Sequence, residues 1–575
     1  KSSYREEKRA VTDKYMGPLI ATHMNRCIHC TRCIRFLEDV AGTPELGGVG
    51  RGEHMEVTNY IEQSLSSELS GNIIDLCPVG ALTSKPYSFK ARSWELDHTY
   101  SIDVSDAVGS HIRIDSCKGE VMRILPSECD DINGEWISDK ARFSYDALKY
   151  QRLTQPILKV VNKEDHSSRL EIVSWDSAFK QIKKQVDKIQ TVDIGAIAGD
   201  YTDVETMFMM QELLHSLNSY NHDFQRSNLV FAETIGDANS HNQSRGEYIF
   251  NSTISGIEKS DSCLLIGCNP RREAPILNIR IRQAVTNNGM TVGVLGQKED
   301  LNYPFKHIGN NKWLLKQIAS GEHPYCSILA AAKYPILIIG ESCIDDPDAK
   351  AIIYYAKMIA QKFNMVRDDW NGYNVLHSAA ARVGSLDIGF MPDIKNKFSK
   401  STQNILEETK VLFLLGADEI NFSAIPASTF VIYIGHHGDR AAARADLILP
   451  GAAYTEKNST YVNLEGRIQK TSCAVKSPGN AIEDWVVIRD IARYLLEKEL
   501  NYKNIGDIRD GMAKRNRLFA QGNDNKIHTA KPNLNIGRVL DFAGDKFTSL
   551  IANYYHSDVI SRNSRTMNLC SKEIS

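Results

Sequence analysis

The sequence predicts a multidomain α/β protein, and three observations support this fold class. The chain has 575 residues, which corresponds to about three to five domains at ~100–200 residues per domain. Its composition is that of a globular protein, because 42% of the residues are hydrophobic and 24% are charged. In its longest part, apolar runs typical of buried strands alternate with stretches of helical pattern. This alternation is typical of parallel sheets covered by helices on both faces.

Changes in this pattern divide the chain into four predicted parts. They are a domain with clustered cysteines (1–97), a small β domain (98–150), an α/β region (151–500) and a polar C-terminal tail (501–575). The chain begins without Met, and we interpret it as a processed product or a fragment.

Charge and hydropathy exclude several functional classes. Lys and Arg number 68 against 71 Asp and Glu, which gives a net charge of −3. This balance does not support binding to nucleic acid or to an acidic membrane surface. No apolar run reaches the ~18–20 residues that a membrane helix needs, so we expect no direct membrane insertion.

The cysteines of the first part predict a metal centre. Cys27, Cys30 and Cys33 form a CxxCxxC motif, whose two-residue gaps let each sulfur reach a different iron of a cubane. Cys77 supplies a fourth thiolate, and the Pro78 that follows it is typical of the last ligand in ferredoxins. We predict that Cys27, Cys30, Cys33 and Cys77 bind one [4Fe–4S] cluster in a ferredoxin-like subdomain.

Structural zinc and unligated cysteines are the alternatives to this cluster. Zinc sites usually pair two short cysteine knuckles, and the second knuckle is missing here. Arg26, Arg32 and Arg35 lie beside the ligands. Their positive charge would raise the reduction potential of the cluster, and the alternative is that they cover a solvated helix face.

The second and third parts contain the predicted regular elements. Residues 110–115 and 120–125 alternate in hydropathy and predict a small antiparallel β unit. A helix is predicted after the apolar run at 193–199, with its cap near Thr202 or Asp203. Further strands of the α/β region are predicted at 263–267, 291–296, 334–340, 410–416 and 430–435.

Several motifs together resemble one known family. They are RCIHCTRC at 26–33, NIIDLCPVGALTSKPY at 72–87, ARSWEL at 91–96, GCNPRREAPILN at 267–278, ADLILPG at 445–451, NLEGRIQ at 463–469, NYY at 553–555 and ISRNSRTM at 560–567. They closely resemble the G-type subunit of NADH–quinone oxidoreductase, which is the large iron–sulfur subunit of respiratory complex I. The motifs span nearly the whole chain, and the first is very specific.

The resemblance implies that the four cysteines hold a [4Fe–4S] centre of an electron relay. It also implies an N-terminal portion that this chain lacks, with a [2Fe–2S] cluster and a second [4Fe–4S] cluster. The 151–500 region is similar to the molybdopterin-oxidoreductase fold. The function implied is electron transfer from NADH, through the flavin subunit, toward quinone.

Members of that fold with molybdenum chemistry carry a further cluster in a CxxCxxxC…C pattern. On our alignment the corresponding residues are Asp103, Asp106, Ser110 and Ser138, which cannot replace soft thiolates around a cubane. We therefore interpret 98–150 as a cluster domain that has lost its cysteines. The α/β region is interpreted as a scaffold without molybdopterin.

The resemblance further implies partners and a location. The partners are other peripheral-arm subunits, namely the flavin-bearing NADH-binding subunit and a ferredoxin-like cluster subunit, and no nucleic acid. The location is the peripheral arm at the inner membrane, on the cytoplasmic side in a bacterium or the matrix side in a mitochondrion. The chain would act as a subunit of the oxidoreductase, with no active site of its own.

Two other functions remain open. One is a molybdopterin-dependent dehydrogenase similar to formate dehydrogenase, and the other is an assembly platform formed by the α/β region. Motifs of nucleophilic or zinc hydrolases and of phosphate-binding loops are absent from the sequence. The adjacent His436 and His437 are predicted to be structural. Core positions are predicted for Cys263, Cys268, Cys326, Cys343 and Cys473.

Overall fold

The structure is a computed structural model that describes residues 10–161, 168–235, 244–496, 499–534 and 541–574. Its strands are β1 (Ile20–Thr22), β2 (Leu46–Val49), β3 (Glu56–Asn59), β4 (Leu82–Ser84), β5 (Asp97–Ile102), β6 (His111–Cys117), β7 (Glu120–Pro126), β8 (Ile157–Val161), β9 (Ser168–Ile172), β10 (Ile194–Ala198), β11 (His222–Phe224), β12 (Ser262–Ile266), β13 (Thr291–Leu295), β14 (Lys306–Gly309), β15 (Pro335–Gly340), β16 (Tyr373–Leu376), β17 (Val411–Leu415), β18 (Phe430–Gly435), β19 (Leu447–Pro450), β20 (Thr460–Val462) and β21 (Ile468–Lys470).

The α-helices between and after these strands vary from single turns to fourteen residues. They are α1 (Arg32–Arg35), α2 (Asn72–Leu76), α3 (Asp139–Phe143), α4 (Trp175–Val186), α5 (Val204–Ser216), α6 (Leu229–Ile235), α7 (Pro270–Glu273), α8 (Pro275–Asn288), α9 (Trp313–Ser320), α10 (Cys326–Ala331), α11 (Glu341–Ile344), α12 (Ala349–Lys362), α13 (Ala381–Ile388), α14 (Thr402–Glu408), α15 (Arg440–Arg444), α16 (Asp484–Leu495), α17 (Ile505–Arg515), α18 (Val559–Asn563) and α19 (Arg565–Ile574). Within the described ranges, no helix has both the length and the apolar character needed to cross a membrane.

The first part of the chain folds around two antiparallel strand pairs. Strand β1 pairs with β4, and β2 pairs with β3. Leu37 and Ile73 are fully buried between these pairs and the short helices. The cysteine-bearing loops lie at the edge of this small core, because Cys27 and Cys77 pack against it while staying half-buried.

The predicted small β unit is present. Strands β5, β6 and β7 form a three-stranded antiparallel sheet. The turn between β6 and β7 contains Lys118 and Gly119, both with positive φ. Helix α3 follows this sheet and packs against β7.

The α/β region contains two sheets, and the predicted fold class is confirmed. The larger sheet has the strand order β11-β10-β17-β18-β19-β8-β9, and the smaller has the order β14-β13-β12-β15-β16. Every residue of β10, β12, β15 and β17 is buried. Such continuous apolar strands are what a sheet covered on both faces requires.

One edge of the larger sheet departs from the parallel pairing of its other strands. Strands β8 and β9 form an antiparallel hairpin, and β8 pairs antiparallel with β19. Leu170 and Ile172 on β9 are exposed, so this edge of the sheet faces solvent, which antiparallel strands tolerate.

The larger sheet is assembled from two separated stretches of chain. Strand β10 pairs with β17 in the register Ile194↔Val411, and all five strands of the smaller sheet lie between them in sequence. The smaller sheet is therefore an insertion within the larger one.

The helix after β10 begins as predicted. Asp203 is the N-cap of α5, and its side chain accepts a hydrogen bond of 2.8 Å from the Thr206 N–H. Glu205 lies in the first turn. A carboxylate at this position satisfies an amide that has no partner within the helix.

The last part of the chain is more ordered than the polar tail that its composition indicates. Helices α17, α18 and α19 are present, and α18 and α19 pack against residues 144–149. Asp146 accepts hydrogen bonds from the hydroxyl of Ser564 and from Thr566 N at 2.9 Å. This part of the chain therefore returns to the small β unit.

Candidate iron–sulfur site

Three of the four predicted ligands lie on one tightly coiled loop. Cys27 ends a short 3₁₀ helix and Cys33 lies in α1. His29 and Thr31 have φ angles of 54° and 61°, a left-handed conformation that few residues other than Gly adopt. These two residues flank Cys30, and their conformations give the loop a tight curl instead of an extended path.

The thiols of this loop are close to one another. Burial, together with the neighbouring Cys27 and Cys30, raises the pKa of Cys33 to about 11. All three side chains are half-buried and free of disulfides. They form a group of sulfur donors at the surface of the small core that contains Leu37 and Ile73.

The fourth predicted ligand, Cys77, immediately follows α2. The N–H of Leu82 donates a hydrogen bond of 3.4 Å to Cys77 Sγ. Amide donors of this kind stabilise a metal-bound thiolate and tune its potential. Cys77 is also half-buried, so its sulfur is accessible from the surface.

The loop after Cys77 meets the CxxCxxC loop through one arginine. A Cβ atom added at Gly80 would lie 3.7 Å from Nη1 of Arg26. Arg26 immediately precedes Cys27, so its side chain connects the two cysteine-bearing loops. Gly80 itself has a φ of 64°.

The donor set fits a [4Fe–4S] cluster in its chemistry. Four free cysteines on two adjoining loops are the usual ligands of such a cluster. Each thiolate binds a different iron, so the four sulfurs are spread farther apart than the ligands of a single ion. Among the residues that the structure describes, no three His, Cys, Asp or Glu side chains are grouped as for a single metal ion.

The four positions that our alignment matches to cluster ligands hold buried oxygen-bearing side chains. Asp103, Asp106, Ser110 and Ser138 are each at most 3% exposed. Burial, and then the charge of Asp103, raises the pKa of Asp106 to about 7. Lys140 lies near both carboxylates. These residues form a compact polar cluster without a thiol.

Sequence reasoning missed a polar cavity where the carboxyl ends of both parallel sheets meet. Asp200 follows β10, Ser378 follows β16, and Glu419 follows β17, and all three line a cavity of about 320 Å³. Ligands of α/β proteins bind at such edges. The sequence did contain a signal for this cavity, because polar residues repeatedly follow the apolar strands.

This cavity does not fit a pterin dinucleotide with its metal. Its volume is at the lower end of the range for small-molecule sites. Residues 550–553 and 556–558 of the C-terminal part also line it. Among the described residues that line it there is no cysteine to bind molybdenum.

The histidine pair is buried, whereas two of the five cysteines predicted to lie in the core are not fully buried. His437 Nε2 lies 3.0 Å from the Ala147 carbonyl oxygen, and its Nδ1 contacts Nδ1 of His436. Cys263, Cys326 and Cys343 are buried as predicted, whereas Cys268 is half-buried and packs against the core. The core prediction for Cys473 was wrong, because this side chain is exposed. It follows the β20–β21 hairpin.

Four protein families match successive stretches of the chain. Residues 17–83 match "NADH-quinone oxidoreductase subunit 3, ferredoxin-like domain", and residues 96–146 match "NADH-ubiquinone oxidoreductase NDSU1/NuoG-like, 4Fe-4S domain". Residues 152–494 match "Molybdopterin oxidoreductase", and residues 528–570 match the C-terminal domain of the NADH-ubiquinone oxidoreductase G-type subunit. The 96–146 stretch contains only two cysteines, Cys117 and Cys129. A [4Fe–4S] cluster is usually bound by four.

Similar proteins occur in bacteria and mitochondria. The G-type subunit of the NADH-quinone oxidoreductase of Rickettsia bellii is 45% identical over 99% of this chain and 79% of its own length. The NADH-ubiquinone oxidoreductase 75 kDa subunit of Reclinomonas americana is 44% identical over 99% and 82%. The mitochondrial NADH dehydrogenase [ubiquinone] iron-sulfur protein 1 of Solanum tuberosum is 41% identical over 99% and 74%. Among solved structures, acetylene hydratase from Pelobacter acetylenicus is 13% identical, with a TM-score of 0.47 over 74% of this chain and 71% of its own.

Proposed function

Because the chain belongs to the family of G-type, or 75 kDa, subunits of NADH-quinone oxidoreductase, we propose that it relays electrons through one [4Fe–4S] cluster bound by Cys27, Cys30, Cys33 and Cys77. Membership of this family establishes the general function, apart from the ligand assignment. The chain is an iron–sulfur subunit of respiratory complex I and takes part in electron transfer from NADH to quinone.

The observation that carries the ligand assignment is the meeting of the two cysteine loops. Arg26 extends from the CxxCxxC loop to Gly80, three residues after Cys77. When bound, the cluster would accept and donate single electrons. The chain would hold four thiolates around it, and the Leu82 N–H would donate to one of them.

We also propose that the α/β region holds no molybdopterin. This proposal is supported by the small size of the cavity at the sheet edges and by the C-terminal residues that line part of it. The region then serves as a folded scaffold that carries the cluster domain. Electron transfer through this region is not part of the proposal.

We propose partners and a location that are consistent with membership of this family. Electrons would arrive from the flavin-bearing subunit and leave toward a ferredoxin-like cluster subunit. The chain would lie in the peripheral arm, on the cytoplasmic side of a bacterial inner membrane or on the matrix side of a mitochondrial one. Relatives of both bacterial and mitochondrial origin support either location.

Anaerobic reconstitution of the full chain tests the ligand set. We expect iron and sulfide equivalent to one [4Fe–4S] cluster, and a strong loss of both when Cys30 or Cys77 is replaced by Ser. Cys117→Ser is the matched control, because Cys117 is also half-buried but lies in the neighbouring β unit. Stoichiometric zinc with little iron would contradict the proposal.

Metal analysis of the same preparation tests the absence of molybdopterin. We expect neither molybdenum nor tungsten, and no formate-dependent reduction of a dye. Stoichiometric molybdenum together with that activity would instead support a molybdopterin-dependent dehydrogenase.

A further inference from the structure

The position of Cys77 depends on the single helical turn that precedes it. Helix α2 covers Asn72–Leu76, and the N–H of Cys77 still bonds to the Ile74 carbonyl oxygen at 3.4 Å. A displacement of this short helix would therefore displace the sulfur. What holds α2 in place matters for the geometry of the site.

Asp139 of the neighbouring β unit binds the start of this helix. Its Oδ1 accepts a hydrogen bond of 2.7 Å from the Gly71 N–H, and its Oδ2 accepts one of 2.7 Å from the Ser70 hydroxyl. The Asp139 N–H in turn donates to the Glu68 carbonyl oxygen at 2.8 Å. One residue thus makes three hydrogen bonds to a four-residue stretch.

The side chain of Asn72 pairs with the same β unit in the manner of a strand. Its Nδ2 donates to the Ile137 carbonyl oxygen at 2.8 Å, and its Oδ1 accepts from the Ile137 N–H at 3.2 Å. Arg142 adds a third bond, from Nη2 to Asn72 Oδ1 at 3.0 Å. Arg142 Nη2 also forms an ion pair of 2.7 Å with Asp75, two residues before Cys77.

The contacts that Asp139 and Asn72 make lie in the interior of the protein. Asn72 and Asp139 are completely buried, and Arg142 is 3% exposed. A Cβ atom at Gly71 would come within 2.6 Å of the Phe143 ring, so the two segments pack without space between them. Removing a partner from such a network leaves a buried polar group unsatisfied, which costs more than a surface hydrogen bond.

We propose that Asp139, Asn72 and Arg142 are positioning residues for the cluster ligand Cys77. The proposal rests on the proposed role of Cys77 as a ligand. Asp139 lies beside Ser138, which aligns with the last ligand of a lost cluster. The small β unit thus keeps a role at an iron–sulfur site, because it fixes a ligand of the neighbouring cluster.

The test compares variants of the full chain after anaerobic reconstitution. Asp139→Ala removes both carboxylate bonds, and Asp139→Asn is the conservative variant that can still accept from Gly71. Ser70→Ala removes a single hydroxyl and keeps the packing, so it remains informative if Asp139→Ala does not fold. The readouts are the electron paramagnetic resonance spectrum of the reduced cluster, its midpoint potential and the rate of iron release.

Asp146→Ala is the matched control. Asp146 is also a buried carboxylate that binds the start of a helix through a hydroxyl and a backbone N–H, those of Ser564 and Thr566. That helix, α19, carries none of the four cysteines. A purely structural effect should therefore appear equally in Asp146→Ala and Asp139→Ala.

We expect Asp139→Ala to change the spectrum and the potential and to release iron roughly tenfold faster, because it removes both carboxylate hydrogen bonds that hold the start of α2. Ser70→Ala should change them in the same direction and by less, while Asp139→Asn and Asp146→Ala should resemble the wild type. Equal spectra and potentials in the wild type, Ser70→Ala and Asp139→Ala would overturn the positioning role. A wild-type cluster that is unaffected by Cys77→Ser would instead overturn the ligand assignment.

Discussion

The hydroxyl of Tyr201 donates a hydrogen bond of 2.7 Å to Oδ1 of Asp558, a residue 357 positions later in the chain. Both side chains are buried and line the cavity at the sheet edges. Asp558 also accepts from the N–H groups of Ile560 and Ser561 at the start of α18. This single carboxylate therefore ties the C-terminal residues to the α/β region.

The first prediction concerns the hydrogen bond between Tyr201 and Asp558. Tyr201→Phe should destabilise the folded chain by about 1–2 kcal/mol, because it leaves a buried acceptor with one donor fewer. Limited proteolysis should then cleave the 550–558 stretch faster. Tyr100→Phe is the control, since Tyr100 is 66% exposed. Equal proteolysis of both variants would contradict the prediction.

The second prediction concerns the pH dependence of stability at Glu273. Burial raises the pKa of this carboxyl from its ordinary value of 4.5 to about 8, and its Oε2 has no hydrogen-bond partner. Between these two pH values the unfolded chain loses the proton while the folded chain keeps it. Stability contributed by this group is thus complete below pH 4.5 and is lost as the pH rises to 8.

Glu273→Gln removes this titration. Relative to the wild type, the variant should therefore gain stability between pH 5 and pH 8, by up to a few kcal/mol. Urea unfolding at both pH values measures the difference. Glu322→Gln, at an exposed site, should show no such trend. A constant difference between variant and wild type would count against the prediction.

The third prediction concerns a buried ion pair in the α/β region. Arg245 Nη2 lies 2.5 Å from Asp387 Oδ2, and both side chains are at most 1% exposed. Asp387→Ala should cost about 3–5 kcal/mol, because it leaves a buried guanidinium without its partner. The double variant Arg245→Met with Asp387→Leu should cost less than Asp387→Ala alone. A double variant that is less stable than Asp387→Ala would refute this explanation.

The fourth prediction concerns the charge beside the cluster site. Arg26→Gln should lower the midpoint potential by roughly tens of millivolts, the scale expected for one exposed charge near the site. A redox titration of the reconstituted full chain measures the shift, which should shrink at high salt. Arg51→Gln, in the loop after β2, serves as the charge-matched control. Equal shifts in both variants would show that proximity to the cysteines is irrelevant.

The sequence predicted best those elements whose signals are local. The strand at 410–416 and the cap Asp203 could be identified because hydropathy and capping residues lie within a few positions of each other. The four cysteines of the candidate site were likewise visible from their spacing.

Contacts between distant segments could not be predicted in this way. Asp139 and Gly71 are 68 positions apart, and no local pattern indicates their bond. The exposure of Cys473 has the same cause, because burial depends on which layer covers a residue. The polar composition after 500 concealed three helices, each of which buries a few residues through packing that no local pattern indicates.

The insertion of the smaller sheet within the larger one has a consequence for synthesis on the ribosome. Strand β10 is completed at Ala198, whereas its neighbour β17 begins only at Val411. At about 5–20 residues per second, roughly 10–40 s separate the two strands. During that interval one edge of β10 lacks its partner, while all five strands of the smaller sheet emerge in succession. The inserted sheet can therefore complete its strand pairing before the sheet that encloses it in sequence.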